Sequence, residues 1–199
     1  MKKYLIGASA AAIVALTAGC GAGNDAGSDM THETTAASTA PAATSAEHND
    51  ADITFAQMMI PHHQQAVDMA DLAAEKATDA RVKTLAGKIQ GAQAPEIEEL
   101  TALLEAWGTK PEATDMPGMD HGSMGDGMMT DDQMTQLEGS TGTGFDTMWL
   151  QMMIEHHEGA VTMAKAELEQ GKNPDAKALA QKIIDAQEAE ITEMQSMLA

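Results

Sequence analysis

Four stretches of the chain carry apolar residues at three- and four-residue intervals with polar residues opposite them. Each therefore predicts an amphipathic helix. In the first, about 52–76, Phe55, Ala56, Met59, Ala66, Val67 and Ala70 share one broad face, while Thr54, Gln64, Asp68 and Asp71 lie opposite. The second, about 80–107, carries its stripe on Val82, Leu85, Ile89, Ile97, Leu100 and Leu104 and ends near Gly108. The third spans about 145–169. Gly171 and Asn173-Pro174 then break the pattern, and a fourth helix starts at Pro174 or Asp175 and continues to the C-terminus. Proline suits a first helical turn. Inside the first helix, Pro61 lacks a backbone donor and predicts a bend. Short links between helices one and two, and three and four, force antiparallel hairpins.

The two hairpins are copies of each other. A shift of 94 residues aligns 52–104 with 146–198 without a gap and gives 23 identities in 53 positions. Met58-Met59-Ile60-Pro61-His62-His63 meets Met152-Met153-Ile154-Glu155-His156-His157. Gln93, Glu96 and Ile97 meet Gln187, Glu190 and Ile191. Because Glu155 stands where the first copy has Pro61, a bend is not required by the duplicated unit. One hairpin of about 50 residues buries too little core alone, so the fold expected is all-α, a four-helix bundle over 51–199 built from both.

Composition sharpens this picture. The core is rich in Ala, which permits close helix approach, and in Met, which fills irregular gaps. With two Phe and two Trp in the whole chain, an aromatic stacking site is not expected. Between the hairpins, 108–143 is polar and rich in Gly and Asp, yet it holds Met116, Met119, His121, Met124, Met128, Met129 and Met134. Loops of this length are uncommon unless functional or disordered. Exposed thioethers are costly at ~25 cal/mol per Å² of apolar surface. A methionine loop that captures a soft ion is one reading; a disordered spacer or a membrane-facing patch is the other.

The N-terminus reads as a processing signal over 1–19. Lys2-Lys3 precede an apolar run from Tyr4 to Ala18, too short for a confident span. Leu16-Thr17-Ala18-Gly19-Cys20 resembles a bacterial lipobox, with the Leu one position early. Lipidation at Cys20 is expected, with a plain secreted product or a retained anchor as the alternatives, followed by a flexible Gly/Ala/Ser/Thr tether over 20–50. His32 and His48 in it read as incidental and solvated, with weak recruitment to a metal as the alternative. Cys20 is the one cysteine, so neither an internal disulfide nor a Cys-based zinc site is possible. The membrane is then reached through the lipid alone.

The formal charge is −20, and loss of 1–19, which removes Lys2 and Lys3 and no acid, leaves −22. Such a field repels nucleic acid and attracts cations without choosing among them.

Candidate chemistry lies in the Met–His pairs four residues apart: Met58–His62, Met59–His63, Met152–His156 and Met153–His157. On a helix each pair stacks one turn apart. Neighbouring histidines diverge by about 100° around the axis, so His62 and His63 are not expected to chelate one ion as a simple pair. Thioether and imidazole together form a soft ligand set, and copper, as Cu(I), leads; zinc or iron is the lesser alternative. A buried hydrogen-bond network is the competing account of the same histidines. Gln93 and Glu96, and Gln187 and Glu190, break otherwise apolar stripes. They are expected to orient imidazoles through the second ring nitrogen, to ligate directly, or to remain structural.

Taken together, Phe55, Met58-Met59, His62-His63 and Met69-Ala70, repeated as Trp149, Met152-Met153, His156-His157 and Met163-Ala164, resemble the signature of the bacterial domain-of-unknown-function family numbered 305. That resemblance implies a ferritin-like helical fold, with copper binding and resistance in some members. Fold likeness does not carry ferritin chemistry, and the Glu-x-x-His motifs of di-iron bundles are absent from both His-His pairs.

The reading preferred from sequence is an envelope lipoprotein, at the cell surface or in the periplasm, that buffers copper or exchanges it with a donor or acceptor protein. A metal-dependent redox or hydrolytic enzyme and a metal-free structural envelope protein are the alternatives. The sequence leaves the association state open.

Overall fold

The computed structural model describes residues 47–111 and 127–199. The segment 1–46, with Cys20, and the residues Met116, Met119, His121 and Met124 lie outside the described residues. Among those described, five helices and no strands occur: α1 (Asp50–Lys76), α2 (Ala80–Ala106), α3 (Asp131–Gly139), α4 (Gly142–Gln170) and α5 (Pro174–Leu198). The four long helices fall where the periodicity places them. None of the helices is long and apolar enough to cross a membrane.

Local chemistry sets the helix ends. Asn49 caps α1 through bonds from Ala51 and Asp52 N–H, and the Asp52 carboxylate accepts from the Asn49 N–H, closing a capping box. Asp79 caps α2, and Asn173 with Pro174 opens α5. Pro61 and Pro95 both sit inside helices that continue past them.

The bundle follows from the two hairpins. α1 packs along α2, α4 along α5, and α1 against α4. Paired contacts such as His63–Glu96, Asn49–Gln170 and His157–Glu190 make each of these neighbours antiparallel. Two apolar clusters fill the interior. One holds Met69, Leu85, Ile89, Phe145, Trp149 and Met153; the other holds Phe55, Met59, Leu100, Leu104, Ile183 and Ala160. The Trp149 indole, fully buried, donates to the Met69 carbonyl at 2.8 Å, which removes the cost of an orphaned N–H.

Two aspartates related by the duplication hold the hairpins together. Asp52 accepts from the backbone N–H groups of Lys172 (3.0 Å) and Asn173 (2.8 Å), at the start of α5. Asp146 accepts from those of Thr78 (2.9 Å) and Asp79 (3.0 Å), at the start of α2. Each carboxylate thus crosses from one hairpin to the turn of the other.

The stretch expected as an unbroken polar loop, 108–143, contains α3. Thr130 and Gln133 form its capping box. Met129 and Gln65 exchange two bonds, at 2.7 and 2.9 Å, and Lys76 reaches the Glu138 carbonyl. Met129 and Leu137 are buried in the first cluster, with Met134 partly buried against it. Met129 is therefore a core residue and not part of an exposed capture loop; Met128 is half-buried beside it. Gly127, at φ +85°, lets the chain pass over α4: a Cβ there would stand 2.6 Å from the Glu155 carbonyl oxygen. His48, expected to be solvated, stacks on Trp107 with centroids 4.9 Å apart.

Candidate metal centre

All four histidines point into the bundle. His62 and His156 are 1% exposed, and His63 and His157 are 0%. Burial of both members of each adjacent pair follows from the width of the apolar face, which spans the arc between them.

The pairs divide their tasks. His62 on α1 and His156 on α4 meet ring to ring, with centroids 3.7 Å apart and planes inclined by 42°. These residues correspond under the duplication, so their contact lies where the two halves of the molecule exchange. His63 turns the other way, toward α2, and its Nε2 lies 2.9 Å from Glu96 Oε2. His157 does the same toward α5, with Nε2 2.9 Å from Glu190 Oε2. When the carboxylate accepts the Nε2 proton's hydrogen bond, Nδ1 is left as a lone pair. Neither Nδ1 has a hydrogen-bond partner among the described residues.

The buried amides of Gln93 and Gln187 also lack hydrogen-bond partners at both polar atoms. Each stands one turn before the glutamate that holds a histidine. An unpaired buried polar group costs ~1–3 kcal/mol, so the centre concentrates unsatisfied donors and acceptors.

The two halves differ at their edges. Lys182 Nζ approaches the second oxygen of Glu96 at 3.5 Å. Its counterpart Lys88 instead reaches Glu193 at 3.3 Å.

Charge is poorly tolerated here. The His156 pKa lies well below its ordinary 6.5, because burial disfavours the cation and His62, His157 and His63 would repel it; a His62 backbone hydrogen bond opposes this weakly. Neutral imidazole is also the form that binds metals.

The thioethers are distributed unevenly. Met59 and Met153 are fully buried one turn before His63 and His157, and Met152 is nearly so. Met58 is half-buried and lines a groove at the protein surface. Among the described residues, no three His, Cys, Asp or Glu side chains form a ready cation cage. A metal held here would draw on one or two imidazoles completed by sulfur, a set suited to the low coordination numbers of Cu(I) or Ag(I) more than to zinc.

Sequence reasoning placed the histidines and glutamates but missed Asp52, Asp146 and Glu167. Asp52 and Asp146 were visible as one of the 23 identities, yet their partners lie in turns far along the chain. Glu167 is buried in α4, where the first copy has Ala73.

Comparison with known proteins agrees with this architecture. The family model "Domain of unknown function (DUF305)" matches residues 52–198. A DUF305 protein from Streptomyces coelicolor is 35% identical, with a TM-score of 0.69 over 74% of this chain and 91% of that one. A DUF305 fragment from Deinococcus radiodurans is 29% identical, with a TM-score of 0.68 over 75% and 96%. CopM in its Cu(II)-bound form is 32% identical, with a TM-score of 0.64 over 74% and 95%. CopM is also similar in its Cu(I)-bound and Ag-bound forms. A search of curated proteins finds no match. The chain belongs to the DUF305 family.

Proposed function

We propose that this DUF305 protein is an exported copper-handling protein whose cargo is a soft monovalent ion bound at the centre of the bundle. The donors are the imidazoles of His62, His63, His156 and His157, with the thioethers of Met59, Met152 and Met153. Glu96 and Glu190 fix the rings of His63 and His157 through Nε2 and leave Nδ1 for the ion. Gln93 and Gln187 supply polar atoms beside them.

The observation that carries this reading is the buried imidazole cluster, in which the Nδ1 atoms of His63 and His157 have no hydrogen-bond partner among the described residues. A purely structural network would be expected to satisfy its polar atoms, whereas a cation would satisfy them by binding. The likeness to CopM, solved with Cu(II), Cu(I) and Ag, supports copper as the ion. Export is supported by the N-terminal apolar run and by the Streptomyces relative, described as a candidate secreted protein. In this reading Cys20 carries the lipid that holds the protein at the envelope, and the ion passes to or from another envelope protein. Nothing in the mechanism requires catalysis.

Metal content and thermal shift test it. Full chain purified without chelator should take up Cu(I) or Ag(I) in stoichiometric amount and melt at a higher temperature when loaded. A variant with all four histidines replaced by leucine should keep its helical content and lose that shift. Equal stabilisation of both proteins would reject the proposal.

A further inference from the structure

The two inter-hairpin clamps are related by the duplication, and they differ in one side-chain donor. At the α1–α2 turn, Asp146 accepts from the backbone N–H groups of Thr78 and Asp79 and from the Thr78 hydroxyl. At the α4–α5 turn, Asp52 accepts from the N–H groups of Asn49, Lys172 and Asn173. Lys172 stands where the other copy has Thr78, so the hydroxyl is missing. The Glu167 carboxyl replaces it as the side-chain partner of Asp52. Its counterpart in the first copy, Ala73, has no polar atom to offer. Gly171 stands beside it in place of Ala77, and a Cβ at Gly171 would collide with the Glu167 carboxyl. The carboxyl and the glycine that admits it occur together in one copy and are both absent from the other.

A hydrogen bond between two carboxyl groups needs a proton on one of them. Asp52 is fully buried, and burial works against its charge, yet three backbone donors hold it ionised and below its ordinary range. The proton therefore lies on Glu167, which is buried and receives no backbone N–H among the described residues. Burial first, then the bond to Asp52 and the charge on it, push the Glu167 pKa up to about 8, with Lys177 opposing them. The charged groups around the pair are Asp50 from α1, Lys172 in the turn and Lys177 from α5. Lys172 reaches Glu47 with its ammonium, and Lys177 donates to the Gly171 carbonyl at 3.1 Å. Neither cation bonds to Glu167, so neither takes over when its proton is lost.

We propose that the Glu167 proton, donated to Asp52, is a pH-sensitive latch on the α4–α5 turn, closed while Glu167 is protonated and released when the proton leaves to solvent. An open groove of about 320 Å³ between α1 and α4 borders Glu167 and gives water a path to it. Once Glu167 ionises, two carboxylates face each other in a buried place, and Asp52 holds the turn only against that repulsion. A local opening relieves it: Gly171–Asn173 and the start of α5 move off α1, and both carboxylates hydrate. The Asp146 clamp has no such step, because the Thr78 hydroxyl keeps its proton across this range. One end of the bundle therefore loosens as pH rises while the other stays shut. The latch lies outside the histidine centre and works without a metal.

Amide hydrogen exchange of the metal-free full chain tests it. The N–H groups of Lys172 and Asn173 report on this clamp, and those of Thr78 and Asp79 on the other. With rates corrected for base catalysis, protection of Lys172 and Asn173 should fall by about tenfold or more between about pH 6 and pH 8 and then level off; one proton allows up to about tenfold per pH unit. Protection of Thr78 and Asp79 should hold steady. Glu167→Gln keeps a donor toward Asp52 and has no proton to lose in this range, so its protection at Lys172 and Asn173 should stay level, with helical content as the check on folding. In wild-type protein the ¹³C signal of the Glu167 carboxyl should titrate at about 8. Protection at Lys172 and Asn173 that stays level, or that changes in step with Thr78 and Asp79, would overturn the proposal. So would a fall that persists in the folded Glu167→Gln variant, or a Glu167 carboxyl that titrates in the ordinary range.

Discussion

His62 and His156, 94 residues apart in sequence, lie with ring centroids 3.7 Å apart in the interior. Two imidazoles in such contact cannot both become imidazolium without strong repulsion, and burial penalises even one charge. The centre is therefore built for neutral rings.

That requirement sets the acid side of the stability profile. His156 has a folded pKa well below 6.5, so its contribution is fully present above about pH 6.5 and is lost as pH falls from there toward the depressed native value. Glu167 acts in the opposite sense. Burial and the bond to Asp52 raise it from an ordinary 4.5 to about 8, so its contribution is complete below 4.5 and is lost as pH rises through about 8. Thermal melts of the metal-free protein should be nearly level from pH 5 to about 6.5, where the two trends oppose each other, and should fall from there to about pH 8. Glu167→Gln should remove the alkaline decline and raise Tm by a few degrees (about 2–4 °C per kcal/mol for a domain of this size) at pH 8.5. His156→Leu should leave the Glu167 trend unopposed, so that stability falls with rising pH from about 5 onward. Wild-type melts that do not vary with pH would contradict both assignments.

The buried amides give a prediction of unusual sign. Gln93→Met and Gln187→Met keep the side-chain volume and remove polar atoms that have no partner. Each should stabilise the metal-free protein by about 1 kcal/mol or more, measured by urea unfolding. A loss of stability would mean that the amides are satisfied.

Asp52 and Asp146 should behave as equals. Burial alone would raise the Asp52 pKa. Backbone bonds from Asn173 and Asn49, the Glu167 side chain and the Lys172 N–H outweigh it and hold the group below its ordinary 3.8. Hydrogen bonds to a charged group contribute ~1.5–3 kcal/mol. Asp52→Ala and Asp146→Ala should each lower stability by about that amount. The double variant should be close to additive, because the clamps sit at opposite ends of α1. A near-neutral result for either would remove the inter-hairpin role.

Much of this was legible in the sequence, and the limits have physical causes. The four long helices follow from 3.6-residue periodicity sustained over six or more turns, and the hairpins follow from their short links. The inward histidines were readable because the apolar face is broad enough to include both neighbours. Glu96 was readable as a polar break in the α2 stripe, but the choice of His63 over His62 depends on which side of α1 faces α2. α3 was missed because nine residues with one buried Leu137 carry little periodic signal. The Thr130-x-x-Gln133 capping box was the available clue. Met129 was misplaced for the same reason: it looks exposed among Gly and Asp until α3 folds it under. The ring contact of His62 with His156 arises only when two hairpins dock, and no local pattern contains it.

α3 makes a further prediction. Leu137 is fully buried while most of its helix is exposed. Leu137→Ala should cost about 2–3 kcal/mol, at the lower end for core leucines because a short helix can settle into the space. It should also raise peroxide reactivity at Met152 and Met69. Unchanged reactivity would mean that α3 does not seal that end of the bundle.

The most direct test of the central claim is the ¹⁵N spectrum of the histidine rings during Ag(I) addition to the full chain under reducing, chloride-free conditions. The Nδ1 resonances of His63 and His157 should move on loading while their Nε2–H signals, held by Glu96 and Glu190, remain. Saturating Ag(I) that leaves all four imidazoles unchanged would contradict a metal centre built from these rings.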